Sequence, residues 1–195
     1  MFGKLKGIVI LGVLGYFAYS IFLAPQSEQT ADLGQVLDRT EFAIVKYQEY
    51  LDQNGIAEAT NNEVDEFAGF LTQILNSDPR FYDKQLGLEI QTDAKFLGFA
   101  DANTNGIKDS DEGDVFTIEI DEANNRLIAT DTAGSSAGLR FSGAGFLAGA
   151  LLGNLIGRQR SAGVSAASFN NRTVTPRSSY SAPRSARSGG LRAGK

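Results

Sequence analysis

Residues 101–112 read DANTNGIKDSDE, which places oxygen-bearing side chains at the spacing D-x-[DN]-x-[DN]-G-x5-E with every fixed position satisfied. A hard cation such as calcium takes about six to eight oxygen ligands. The loop offers the side chains of Asp101, Asn103 and Asn105, the main-chain carbonyl of Ile107, Asp109 directly or through water, and Glu112 through both carboxylate oxygens. Gly106 allows the sharp turn that would gather the first three ligands around one point. The spacing therefore predicts a calcium ion as cofactor. The plain alternative is an Asx-rich turn that joins two strands.

Little else in the chain is suited to chemistry. There is no Cys and no His, so thiol nucleophiles, disulfides, thiolate zinc sites and the commonest general base are absent together. Adjacent carboxylates occur at Asp65-Glu66 and Asp121-Glu122, but in so acidic a stretch a solvated face is the simpler explanation. No G-x-x-x-x-G-K-[ST] or H-E-x-x-H motif is present. The expectation is a protein that is not an enzyme.

The residues flanking the loop bear on its type. An EF-hand sets a helix on each side, whereas Phe96-Leu97-Gly98-Phe99 before the loop and Val115-Phe116-Thr117-Ile118 after it have strand-like composition. In the run from Asp101 to Asp109 the loop resembles the calcium loops of bacterial surface-protein repeats, in which D-x-N-x-N-G-I-x-D precedes a strand. That resemblance implies a structural ion, bound on the outside of a cell.

All 23 acidic residues lie between Glu28 and Asp131 with only seven Lys or Arg among them, a formal charge of −16. Within this block Leu33, Val36, Leu37, Ala43, Ile44, Tyr47 and Leu51 follow a three-to-four spacing, which predicts a helix from a cap at Thr30 to a stop at Gly55. A second helix begins at a cap on Asn61 or Asn62 and carries Val64, Phe67, Leu71, Ile74 and Leu75. Residues 80–86 suggest a further turn of helix. The period then changes to two, at Leu86, Leu88 and Ile90, over 95–100, and in a hairpin whose strands 115–121 and 126–130 flank the turn at 122–125. The predicted class is α+β, a helix pair on a small antiparallel sheet.

Two apolar segments bracket this block. Residues 7–27 contain no charge, follow Lys4 and Lys6, and end near Pro25; the expectation is an uncleaved transmembrane anchor, with a cleaved signal peptide as the alternative. Residues 141–157 are uncharged between Arg140 and Arg158, with Gly145, Gly149, Gly153 and Gly157 recurring every fourth residue. In GALLGNLIG this stretch resembles the glycine-zipper segments of bacterial envelope proteins. The resemblance implies a membrane helix packed through its glycine face against a second copy or a partner helix. A Gly-rich hinge or a buried soluble helix is the alternative.

Both ends of the chain are cationic, so the positive-inside rule predicts a hairpin in a bacterial inner membrane. Residues 1–25 would be the anchor, 26–138 the domain outside, 139–158 the zipper helix and 159–195 a cytoplasmic tail; a one-span version leaves the zipper and tail outside with the domain. From Arg158 the chain holds eight cations and no acid in a Ser-, Arg-, Ala- and Gly-rich setting, which predicts disorder. Anionic lipid is its expected partner, ahead of nucleic acid. These features together predict a calcium-stabilised interaction domain of an envelope membrane protein, with an oligomeric channel or channel accessory as the second reading.

Overall fold

Residues 30–142 and 146–186 are described by the computed structural model. The apolar spacing near the start forms Leu33–Gln53 (α1) and Asn61–Leu75 (α2). Asp32, not Thr30, caps α1, accepting from the N–H groups of Gly34 and Gln35. Thr60 caps α2 in a box closed by Glu63, whose carboxylate accepts from the Thr60 N–H at 2.7 Å. The two helices run antiparallel. Arg39 near the start of α1 donates to the carbonyls of Ile74 (2.8 Å), Leu75 (3.2 Å) and Ser77 (2.8 Å), while Tyr47 farther along donates to Glu66 (3.2 Å). Arg39 thus satisfies carbonyls that the end of α2 leaves without helical partners. Residues 80–84 form bends rather than the predicted turn of helix.

The sheet is a meander of five antiparallel strands: β1 (Leu86–Ile90), β2 (Phe96–Ala100), β3 (Asp114–Asp121), β4 (Arg126–Asp131) and β5 (Ser136–Arg140). Phe96, Phe116, Ile118, Ile120, Leu127 and Ala129 pack in one core with the helix pair, and the Phe67 and Phe96 rings meet edge to face at 5.8 Å. Two glycines make room for rings on neighbouring strands. A Cβ at Gly98 would stand 2.4 Å from the Phe116 ring, and one at Gly87 would stand 2.1 Å from the Phe99 ring.

The segment expected to cross a membrane does something else. A short 3-10 turn at Phe146–Ala148 leads into Ala150–Ser161 (α3), a helix of 12 residues. Leu151, Leu152, Leu155 and Ile156 are buried in the same core as α1 and α2. Gly153 and Gly157 are exposed, with no atom within 4 Å of where a Cβ would stand, and Gly145 lies outside the described residues. Gly153, Gly157 and the leucines occupy two faces of one helix, and burial selects the leucine face, while Gly149, the residue before the helix, lies against Gln48, whose Oε1 would stand 2.4 Å from a Cβ there. At about 1.5 Å per residue α3 is roughly 18 Å long, well short of a ~30 Å hydrocarbon layer. No helix among the described residues is long and apolar enough to cross a membrane, which corrects the transmembrane-zipper part of the predicted fold and removes the helix on which the channel reading relied. The apolar stretch at 7–27, read as an anchor, lies outside the described residues, which begin at residue 30.

The tail corrects the topology as well. Instead of a disordered segment, residues 162–186 form a strap over the acidic block. Phe169 is buried, Arg172 bonds Glu119 and Arg177 bonds Asp38, while Arg160 at the end of α3 reaches Glu122 at 2.5 Å. A two-residue strand, Thr175–Pro176 (β6), pairs parallel to β5, and the Leu33 N–H donates to the Tyr180 hydroxyl at 3.2 Å. A composition that predicts disorder alone is ordered here by opposite charge in the same chain. Strap and acidic block therefore share one side of any membrane, and the predicted inner-membrane hairpin with its cytoplasmic tail falls.

These packings set a mutational ranking opposite to that of a glycine-packed helix. Replacing Gly153 or Gly157 by Ala is expected to stabilise the fold by about 0.5–1 kcal/mol each, and Leu155→Ala to cost roughly 2–5 kcal/mol. Denaturant melts of the intact chain check this ranking.

Candidate metal centre

The acidic loop joins β2 to β3, both central in the sheet order, so its ends are held by strands and not by helices. The Asp101 N–H donates to the Gln85 carbonyl at 2.9 Å, and the Ala100 N–H to the Gly113 carbonyl at 3.0 Å. These bonds fix both ends of the loop. Lys108 and Asp114 form an ion pair at 3.1 Å beside it.

Within the loop the acceptors face the loop's own backbone. Asp101, only 4 % exposed, accepts from Asn105 N–H through Oδ1 (3.1 Å) and from Gly106 N–H through Oδ2 (2.9 Å). Asn103 Oδ1 accepts from Asn105 N–H at 3.0 Å, and Asn105 Oδ1 from Ile107 N–H at 2.6 Å. Glu112, 7 % exposed, accepts from Ala102 N–H (2.7 Å) and Asp109 N–H (3.1 Å). Each of these bonds sets a side chain against the loop's own backbone, with Asp101 and Glu112 buried and Asn103 and Asn105 exposed. Such buried carboxylates need partners, since an unpaired buried charge is costly.

The structure ties Asp101, Asn103, Asn105 and Glu112 to the loop's own backbone, each through a side-chain oxygen that the spacing assigned to the ion. The amide nitrogens of Asn103 and Asn105 donate to Asp109 Oδ2 at 2.7 and 3.3 Å, so an ion at the centre would replace these amide contacts on Asp109. Among the described residues no group of three or more Asp, Glu, His or Cys side chains converges into a metal cluster; this loop would complete its set with two Asn oxygens and the Ile107 carbonyl. Those are oxygen donors only, the chemistry of calcium or magnesium and not of a softer metal. Ile107 itself is 67 % exposed.

Sequence reading missed how the loop is shaped from within. Besides Gly106 at φ +74°, Thr104 takes a left-handed conformation at φ +59°, a cost that the local hydrogen bonds offset. Glu112 also closes the loop onto Ala102, which a ligand role alone does not disclose. The other carboxylates considered have structural partners: Asp121 is fully buried against Arg126 Nε (2.7 Å) and Asn124, Glu122 meets Arg160, and Glu66 accepts from Tyr47. Burial and the Glu66 carboxylate together push the Tyr47 hydroxyl's pKa up.

No protein-family model, characterised protein or solved structure matches this chain.

Gly106→Ala leaves room for the new methyl group but forces a left-handed alanine, so it is expected to cost about 1–2 kcal/mol. Gly113→Ala, beside open space and without that backbone conformation, should stay within roughly 0.5 kcal/mol of wild type. Thermal melts of the two variants compare them directly.

Proposed function

We propose that this chain is a non-enzymatic interaction module whose β2–β3 loop binds one calcium ion for structural purposes. The observation that carries the reading is that Asp101, Asn103, Asn105 and Glu112 all fix their side-chain oxygens on backbone N–H groups of one loop at the junction of two central strands. Three carboxylates, Asp101, Asp109 and Glu112, give the site a formal charge of −3, and an ion would offset it where the chain is already strongly acidic. Affinity of the weak, extracellular-module kind, ~10⁻⁴ to 10⁻³ M, suits such a role. At free calcium ten times the dissociation constant the fold gains about 1.4 kcal/mol.

The non-enzymatic part rests on the partners of the acids. The Asp121 and Glu122 carboxylates are engaged by Arg126 and Arg160, which leaves neither poised as the base of a general acid/base pair.

Calorimetric titration of calcium into the intact chain tests the site. The expected result is one ion per chain, lost in both Asp101→Ala and Glu112→Ala. A flat titration of a folded wild-type chain would reduce the loop to a hydrogen-bonded turn.

A further inference from the structure

The turn that follows α3 leaves a cavity beside it. Gly163, at φ +82°, reverses the chain, with its N–H donating to the Arg160 carbonyl at 3.0 Å and the Val164 N–H to the Gln159 carbonyl at 2.9 Å. Val164, Ala166 and Phe169 of the strap then face Ile156 and Gln159 of α3 and Ile120 of β3 around a space of about 400 Å³. Small-molecule sites commonly have ~300–1,000 Å³. Ile120, Ile156 and Phe169 are buried, and the Phe169 ring is held from outside by the Arg172 guanidinium, 5.3 Å from its centre.

Gln159 is out of keeping with these neighbours. It is only 5 % exposed, yet no hydrogen bond reaches its side-chain amide among the described residues. Asn154 Oδ1 is the one side-chain polar atom there that is both enclosed and unpartnered, so the Gln159 amide keeps the residue's remaining exposure, and that exposure opens into the cavity it lines. A buried amide without a partner is costly. Methionine would fill the same place without that cost, so packing does not account for a glutamine here. Water would satisfy the amide but would leave the apolar walls wet.

The walls and the amide together define what completes the site. A carboxamide sets a donor beside an acceptor, and its complement sets an acceptor beside a donor, as a second amide or a lactam does. No charge is called for, because Glu122 and Arg160, the two charged residues that line the cavity, are bonded to each other. We infer that the cavity between α3, β3 and the strap binds a small uncharged molecule with an apolar ring or chain and an amide edge, paired through the Gln159 side chain. The site shares no residue with the calcium loop, so either can fail without the other.

The probe is benzamide, which joins an apolar ring to an uncharged amide. Acetophenone keeps that shape without the N–H, and benzoate replaces the amide by a charge. Each is titrated into the intact, isotope-labelled chain and followed by NMR at the Gln159 side-chain amide and the Ile120 and Ile156 methyl groups. Benzamide is expected to shift these signals saturably, one to one, with a dissociation constant on the order of 1 mM for so small a probe, and the other two to bind at least tenfold more weakly. Gln159→Met should melt at or above the wild-type temperature, and at its methyl signals benzamide should bind at least tenfold more weakly. If that variant does not fold, Ala166→Leu, at an exposed position of the strap, fills the cavity instead and should abolish binding. A flat benzamide titration, which leaves the cavity to water, overturns the inference. Equal binding of the three probes, or benzamide binding that the variants do not weaken, overturns it as well.

Discussion

Between Glu28 and Asp131 the chain carries 23 carboxylates against seven Lys and Arg, and folding crowds those among the described residues onto one helix pair, one sheet and their connecting loops. Self-repulsion of this size opposes a compact state, so each remaining part of the structure can be understood by how it offsets the charge. The end of α3 places Arg160 on Glu122, and the strap places Arg172 on Glu119 and Arg177 on Asp38. Of these acids Glu119 matters most, because it is only 8 % exposed and is approached by Lys95 at 3.8 Å as well as by Arg172. Asp121, fully buried, is held by Arg126. The exposed pairs are individually weak; the buried ones are costly to break from one side. The loop between β2 and β3 handles its share differently, by turning the Asp101 and Glu112 carboxylates onto backbone N–H groups.

This electrostatic closure also explains the placement of α3. Its leucines add to the core beneath α1 and α2, and its end delivers the chain to the open face of the sheet, where Phe169 is buried and the Arg172 guanidinium lies 5.3 Å from the Phe169 ring centre. From there Val174 fills the space above Gly138, where a Cβ would stand 2.6 Å from a Val174 methyl carbon. The strap thus combines apolar contact with ion pairing along one path from β3 across to β5 and back to the start of α1.

Much of the central architecture was legible in the sequence. The periods of α1 and α2 and the apolar alternation in β1 and β3 need no long-range information, although β3 also buries Val115, Glu119 and Asp121 on its other face. T-x-x-E at 60–63 was a readable capping box, passed over for Asn61 and Asn62. α3 was misread because glycines at every fourth residue and leucines at 151, 152 and 155 lie on opposite faces of one helix, and spacing alone does not say which face is buried. The strap was illegible for a different reason. Its composition predicts disorder in isolation, and its order comes from acids as many as 139 positions away, as in Arg177 with Asp38. The loop's proposed donors were picked out because cation geometry would fix their spacing locally; the left-handed Thr104 had no such signal.

The most direct test separates a specific ion from general screening of an acidic domain. Melting temperatures of the intact chain are measured in calcium chloride and in sodium chloride of matched ionic strength. A single structural site predicts a rise in calcium, saturating in the millimolar range, that sodium does not reproduce. The same rise in both salts would contradict it, leaving the strap and ordinary screening to offset the charge alone.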